Sequence, residues 1–194
     1  IQSRCQRFDF ASITPAVIAK QLKFVLKAEG IKYEDDLVLP LAKMANGSMR
    51  DALSLLDRLI SSGAEPLGGS LLEELLGCAD SEKVWGLIDK IGDSDAAGTL
   101  TAVDELIRAG TSEVQIVDSL VDYMRDLMVA KSAGVDSELL ILTAQQRKRA
   151  GELAEKFDIA GLIYSIATLE KLRWAIKNSD TARALLEASL LRFA

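Results

Sequence analysis

Histidine is absent from the 194-residue sequence, which excludes any hydrolase mechanism that needs a histidine general base within these residues. The only cysteines, Cys5 and Cys78, are too few and too far apart to indicate a zinc site or a disulfide framework. We therefore expect a reduced, cytoplasmic compartment. No apolar run approaches the roughly 20 residues that span a bilayer, and no secretory signal is present, so we expect no membrane partner.

Aromatic residues make up only 5% of the chain and prolines number three, which disfavours a turn-rich β-sandwich. Acidic side chains outnumber basic ones by 29 to 23, and the formal net charge of −6 disfavours non-specific DNA binding through bulk charge. Leu, Ala and Ile are abundant, and apolar residues recur at helical spacing rather than alternating. The sequence predicts an all-α protein.

Capping residues and glycines mark the ends of the predicted helices. Thr14 and Pro15 predict an N-cap followed by proline at the first helical position, and Gly30 ends that helix. Pro40 lies inside the second helix, so we expect a late start or a kink there. Ser94 and Ser112 are expected N-caps. The predicted helices cover about 15–29, 36–45, 49–62, 70–76, 81–91, 94–109, 112–133, 143–157, 159–178 and 180–193.

A boundary near residue 79 divides the chain into two helical modules. Residues 1–79 form a smaller module of formal net charge −1, and residues 80–194 form a larger one of formal net charge −5. Two helices of the larger module, over 112–133 and 159–178, are apolar on more than one side. Such helices are buried within a bundle or packed against a partner subunit, and both alternatives stay open on the pattern alone.

The start of the third helix carries the most informative local pattern. Ser48 and Asp51 have the S-x-x-D spacing of a capping pair, which places the helix N-terminus at Ser48. Arg50 falls off the apolar stripe in the first turn, where a cation costs about 0.3–1 kcal/mol against the helix dipole. An arginine beside free backbone N–H groups favours a phosphate site. The alternative is a solvated arginine paired with Asp51 or Glu74.

Other candidate features have simpler interpretations. The basic run 147–149 is typical of a solvated helix face. Trp85 and Trp174 lie within helical apolar periods, which indicates packing in a core or an interface rather than a ligand platform.

Three motifs together resemble a known family. Ser3-Arg4-Cys5 resembles the SRC motif of clamp-loader ATPases, and residues 47–57 resemble their sensor 2 helix. Residues 180–187 are similar to the last helix of the collar domain in a bacterial clamp-loader subunit. Together they resemble the gamma/tau family of bacterial DNA polymerase III clamp-loader subunits, over essentially the whole chain.

The resemblance implies a fragment of an AAA+ protein that functions in DNA replication. Residues 1–79 would be the end of the ATPase domain plus a small helical lid, and residues 80–194 a larger helical-bundle collar. The nucleotide-binding α/β domain would precede Ile1, since no phosphate-loop motif occurs in these residues. The family couples ATP binding and hydrolysis to loading of the sliding clamp on primed DNA.

The resemblance also assigns roles to two arginines. Arg4 would be the catalytic arginine finger that reaches the ATP of a neighbouring subunit, and Arg50 the sensor 2 arginine that reaches the ATP of its own subunit. The longer protein would be an ATPase that uses ATP and Mg²⁺. We expect no nucleotide bound to this fragment, no catalysis by it alone, and no metal site in it.

The implied partners follow from the same resemblance. The collar would bind other clamp-loader subunits, namely gamma/tau copies, delta and delta prime, while the whole assembly would bind the sliding clamp and primed DNA. The alternative is a delta prime-like subunit or another non-ATPase helical scaffold of a replication complex. An intact arginine at position 50 favours gamma/tau over delta prime.

Overall fold

A computed structural model describes residues 11–76 and 80–193, except for the side chains of Glu73 and Leu76. Ten α-helices form within these residues, and the only extended pairing among them is an isolated bridge between Tyr33 and Leu67. The predicted all-α class is therefore confirmed. None of these helices is long and apolar enough to cross a bilayer. The helices are α1 (Pro15–Ala28), α2 (Val38–Met44), α3 (Met49–Ser61), α4 (Gly69–Leu76), α5 (Ser81–Gly92), α6 (Ala96–Arg108), α7 (Glu113–Ala133), α8 (Ala144–Ala154), α9 (Ile159–Lys177) and α10 (Ala182–Leu190).

Packing divides the chain into two compact units, Ile1–Leu72 and Glu73–Ala194, and the division falls within α4. The first unit contains α1 to α3, and the second contains α5 to α10. The predicted boundary near residue 79 separates a lid from a collar, which are functional domains, and it stays a prediction.

The first unit is held together by the buried faces of α1, α2 and α3, which contact one another. Ile18, Leu22 and Leu26 are fully buried on α1, because residues four apart share one face of a helix. Leu41 of α2 and Leu56 of α3 are buried as well. Each such side chain stabilises the fold by about 1.5–3 kcal/mol, so this core fixes the start of α3 in the unit.

Pro40 delays the start of α2, as the sequence predicted. The helix begins at Val38, and Pro40 is its third residue. The first N–H groups of an α-helix have no intrahelical acceptor, so the missing N–H of proline costs no hydrogen bond at this position.

Helix α7 is the central helix of the second unit and contacts α5, α8, α9 and α10. Its broad apolar coverage is explained by this position. The stripe Ile116, Leu120 and Leu127 is fully buried, and a second stripe with Val114 and Val121 packs partly buried against the same core. The bundle alternative is therefore confirmed for α7, and its own unit covers it.

The N-cap prediction for α6 is wrong by one residue. Asp95, not Ser94, caps the helix, and its Oδ1 accepts a 2.8 Å hydrogen bond from the Gly98 N–H. Ser94 adopts a φ of 54° in the turn before it. A carboxylate satisfies a first-turn donor and also interacts favourably with the helix dipole, which makes aspartate the better cap here. The Ser112 prediction is confirmed, with a reciprocal capping box to Gln115.

Helix α8 ends at Ala154, short of the predicted Phe157. The Lys131 Nζ donates a 2.9 Å hydrogen bond to the Ala154 carbonyl, and a cation at a helix C-terminus satisfies such a carbonyl and the dipole together. Lys156 then reaches the end of α5, with its Nζ 2.7 Å from the Asp89 Oδ1 and 2.6 Å from the Asp93 Oδ1. These partners are distant in sequence, so local periodicity could not locate this helix end.

The basic run 147–149 is not a single solvated face, so that interpretation is wrong for two of its three residues. The partly buried Arg147 guanidinium donates to the carbonyls of Val135 at 2.8 Å and Leu140 at 2.7 Å. Arg149 pairs with Glu82 and lies 6.0 Å from the centre of the Trp85 ring. The run therefore fixes the loop between α7 and α8 and connects α8 to α5.

Candidate functional site at the start of helix α3

A left-handed turn precedes α3 and positions its first residues. Asn46 and Gly47 have φ values of 44° and 82°, and Ser48 returns to extended backbone. The Ser48 Oγ accepts a 3.2 Å hydrogen bond from the Asp51 N–H, which confirms the cap predicted from the S-x-x-D spacing. Helix α3 therefore begins at Met49, and Arg50 lies in its first turn.

The segment before α1 packs closely against this turn. The Ile13 N–H donates a 3.0 Å hydrogen bond to the Gly47 carbonyl. A Cβ atom at residue 47 would lie only 2.6 Å from the Ser12 Cβ. Glycine is therefore required both by the positive φ and by the approach of Ser12. As a result, the start of α3 is fixed to the stretch that leads into α1.

Arg50 is exposed, and its guanidinium makes no ion pair or hydrogen bond with the described residues of its own unit. The sequence offered Asp51 and Glu74 as partners of Arg50. No ion pair joins Arg50 to Asp51, and Glu74 belongs to the second unit. A cation at the positive end of a helix dipole costs about 0.3–1 kcal/mol. The side chain is thus placed against its local preference and left available to an anion.

The first turn of α3 combines two features that bind anions. Backbone N–H groups at a helix start lack intrahelical acceptors, and the dipole there favours negative charge. The Arg50 guanidinium adds a planar fork that matches phosphate oxygens. Among the described residues, no group of His, Cys, Asp and Glu side chains could hold a metal ion. The same first turn also contains the acidic Asp51.

An open groove of about 520 Å³ adjoins the first residue of α3 and is lined by Val17, Lys20, Gln21, Phe24 and Met49. Val17 is 55% exposed and Phe24 is 67% exposed. Val17 shares the helical spacing of the apolar residues of α1, but the buried face of the helix begins at Ile18. Sequence reasoning therefore missed this surface, since an amphipathic pattern does not show which edge of a stripe stays uncovered.

The other predicted site residue, Arg4, lies outside the described residues, which begin at residue 11. Cys5 and Cys78 also fall outside them. The role of Arg4 therefore rests on the resemblance of the residues around it.

Helix α9 has an uncovered apolar face in addition to a buried one. Leu162 and Leu169 are fully buried, whereas Ile163 is 53% exposed and Trp174 is 73% exposed. Ile159 and Tyr164 are exposed as well. Trp174 is thus not a core residue, unlike the fully buried Trp85. Ile159, Ile163 and Tyr164 adjoin in the first turns of α9, and Trp174 lies about three turns farther along the helix. A cluster of exposed apolar residues is typical of a contact surface.

Two protein families match consecutive parts of the chain. Residues 17–65 match the ATPase lid domain of the DNA polymerase III clamp loader subunit, and residues 67–194 match domain III of DNA polymerase III subunits gamma and tau. DNA polymerase III subunit tau of Bacillus subtilis is 28% identical over 193 residues, which cover 99% of this chain and 34% of tau. The Salmonella typhimurium tau subunit is 29% identical over 152 residues, which cover 77% of this chain and 24% of that protein. The chain thus spans about a third or less of these relatives.

The delta protein of the Bacillus subtilis DNA clamp loader is similar in structure, with a TM-score of 0.51 and 16% identity over 94% of this chain and 57% of the delta protein. At this identity the likeness concerns the fold alone. Arg50 falls inside the lid match, and the uncovered face of α9 falls inside the domain III match. The chain belongs to the DNA polymerase III gamma/tau family, and it comprises the clamp loader's ATPase lid domain followed by domain III.

Proposed function

We propose that this chain is the lid and collar part of a subunit that couples ATP binding and hydrolysis to loading of a sliding clamp on primed DNA. Residues 1–79 would end the ATPase domain and form the lid, and residues 80–194 would form the collar. The observation that carries the proposal is Arg50, an exposed arginine without a described partner in its unit, within residues that match an ATPase lid domain.

Arg50 acts in this proposal as the sensor of the nucleotide bound by its own subunit. Its guanidinium binds a terminal phosphate oxygen of ATP, which the ATPase domain holds together with Mg²⁺. The first-turn N–H groups of α3 favour the same negative charge. Because Ile13 binds the turn before α3, a change at Arg50 is transmitted to the segment that enters the lid.

Arg4 acts in this proposal on the ATP of the neighbouring subunit. Negative charge develops on the oxygens around the transferred phosphoryl group, and a guanidinium from outside the nucleotide's own pocket stabilises it. The family resemblance of Ser3-Arg4-Cys5 supports this role.

The collar binds the other subunits of the loader, which we propose to be gamma/tau copies, delta and delta prime. The uncovered apolar face of α9 supports this proposal, because Ile163 and Trp174 are exposed to an extent that a contact with a neighbouring subunit would remove.

The test uses the full-length gene product and compares Arg50→Ala with Lys32→Ala. Lys32 is an exposed cation of the same unit, with its Nζ 3.6 Å from the Glu65 carboxylate. Loss of a charged hydrogen bond of about 1.5–3 kcal/mol should weaken ATP binding by about 10–150-fold in Arg50→Ala. Lys32→Ala should bind ATP as the wild type does. Equal ATP affinity of the two variants contradicts the sensor role, and a wild-type protein that binds no ATP supports the non-ATPase scaffold instead.

A further inference from the structure

Helix α1 carries three lysines whose positive charge is not balanced by an ion pair within the described residues. Its lysines, Lys20, Lys23 and Lys27, are exposed and have no ion-pair partner among the described residues, and the helix contains no acidic residue. In the second unit, every Lys and Arg side chain except Lys171 and Lys177 binds a carboxylate, hydroxyl or carbonyl oxygen. The three lysines of α1 therefore differ from most cations of the second unit, which have a hydrogen-bond or ion-pair partner.

The three lysines form a row along one side of α1. Residues three or four apart on a helix have Cβ atoms about 5–6 Å apart, so Lys20, Lys23 and Lys27 are successive neighbours. The row rises about 10 Å along the helix axis. A row of separated cations is matched by a linear chain of separated anions rather than by one small ion.

Phe24 lies beside this row on the exposed side of α1, and 67% of its surface is accessible. Lys20 and Phe24 both line the open groove of about 520 Å³. Surfaces that bind single-stranded nucleic acid combine a basic track for the phosphates with an aromatic ring on which a base stacks. The basic row and the exposed ring of α1 supply both parts.

An acidic amphipathic helix of another protein is the alternative ligand for a row of lysines. Docking of such a helix needs apolar anchors at successive turns. On α1 the large exposed apolar residues are Val17 and Phe24, and the position between them is the polar Gln21. The surface therefore lacks the continuous apolar row that a helix would need.

The formal net charge of −6 does not oppose a local anion site. Charges farther than about 8–10 Å are screened at physiological ionic strength, and many carboxylates of the second unit are occupied by ion pairs. We infer that the exposed side of α1 binds single-stranded nucleic acid, with Lys20, Lys23 and Lys27 on successive phosphates and Phe24 stacked on a base. The proposed contacts do not involve Arg50, although the groove beside Phe24 also contains Met49, the first residue of α3.

The test measures binding of a fluorescent oligothymidine to the 194-residue chain by fluorescence anisotropy at several salt concentrations, without ATP. Three phosphate contacts to a single strand predict a slope of log K against log salt of about −2, and each single Lys→Gln change should reduce its magnitude by about 0.7. Phe24→Ala should weaken binding by about 5–150-fold and leave the slope unchanged.

The matched control is the triple variant Lys148→Gln, Lys171→Gln and Lys177→Gln, which removes the same charge from exposed positions of the second unit. It should bind the oligonucleotide as the wild type does, and circular dichroism should show that all variants stay helical. The inference is overturned if the wild type does not bind, if Lys20→Gln, Lys23→Gln and Lys27→Gln combined leave affinity unchanged, or if polyglutamate binds as tightly as the oligonucleotide. Because ATP is absent, these outcomes are independent of the Arg50 test.

Discussion

The backbone N–H of Ile13 donates a 3.0 Å hydrogen bond to the carbonyl of Gly47. This bond joins the stretch before α1 to the turn that positions Arg50. Arg4, the other arginine for which we propose a nucleotide role, precedes the same stretch in the sequence. We therefore expect substitutions at the turn to affect both the stability of the first unit and the start of α3.

Gly47→Ala should destabilise the chain more than Gly63→Ala. The two glycines have similar φ values of 82° and 75°, so an alanine meets about the same backbone strain of about 1–2 kcal/mol at each. Only at residue 47 does the new Cβ also meet a neighbour, at 2.6 Å from the Ser12 Cβ, whereas nothing lies within 4 Å at residue 63. The difference between their melting temperatures measures the contact with Ser12, and equal melting temperatures would contradict it.

Ser48→Ala should lower the free energy of unfolding by about 1 kcal/mol, because the Asp51 N–H loses its acceptor. Ser54→Ala in the same helix is the control. The Ser54 Oγ donates to the Arg50 carbonyl at 3.0 Å, a bond within the helix whose loss is offset by the higher helix propensity of alanine. Denaturant unfolding monitored by circular dichroism distinguishes the two. A Ser54→Ala variant as unstable as Ser48→Ala would argue against the cap.

Local sequence signals predicted the parts of this fold that depend on neighbouring residues. The start of α1 at Thr14-Pro15, the late start of α2 at Pro40 and the caps at Ser48 and Ser112 all follow from interactions within a few residues. The cap of α6 lies one residue after the predicted Ser94, since two adjacent residues could both cap and the structure shows that Asp95 does.

Features that depend on distant partners could not be predicted in this way. The 147–149 run has the appearance of a solvated face in the sequence, yet the bonds of Arg147 to Val135 and Leu140 come from a loop whose path the sequence does not encode locally. The candidate site shows the same division. The helix start at Ser48 was predictable, whereas the exposure of Phe24 and Trp174 depends on which faces the neighbouring helices leave uncovered.

Arg147→Lys should destabilise the second unit by about 1.5–3 kcal/mol, which is the value of a hydrogen bond to a charged group. A lysine keeps the charge, but it lacks the planar fork that reaches the carbonyls of Val135 and Leu140 together. Lys148→Gln is the control, because its side chain is 80% exposed and its Nζ lies 4.0 Å from the Glu152 carboxylate. Thermal unfolding should separate the variants, and a wild-type melting temperature for Arg147→Lys would show that the loop does not need the fork.

The cap of α6 should depend on pH. The hydrogen bond from the Gly98 N–H, followed by the interaction with Lys90, lowers the pKa of Asp95 from its usual value of 3.8. A carboxyl group with a lowered pKa in the folded state contributes stability above its unfolded pKa and loses it as the pH falls through its folded pKa. Asp95→Asn should therefore be less stable than the wild type at neutral pH, and the gap should close below about pH 4. A gap that stays constant down to about pH 3 would contradict the charge contribution.

The uncovered face of α9 should carry subunit contacts in the assembled protein. Ile163→Glu and Val17→Glu form a matched pair, since Ile163 is 53% exposed and Val17 is 55% exposed in the isolated chain. Each change adds one charge at an exposed apolar position, so neither should alter the fold of its unit much. If α9 is buried in an interface, a carboxylate at residue 163 must lose its water without gaining a partner, and assembly should weaken by at least about tenfold. Val17→Glu should assemble as the wild type does.

Sedimentation velocity of the full-length protein with its partner subunits gives the assembled fraction. Tryptophan fluorescence gives a second measure, because Trp174 should lose its exposure on assembly while Trp85 is buried throughout. Equal assembly by the two variants, with no change in the Trp174 emission, would place the subunit contacts elsewhere on the chain.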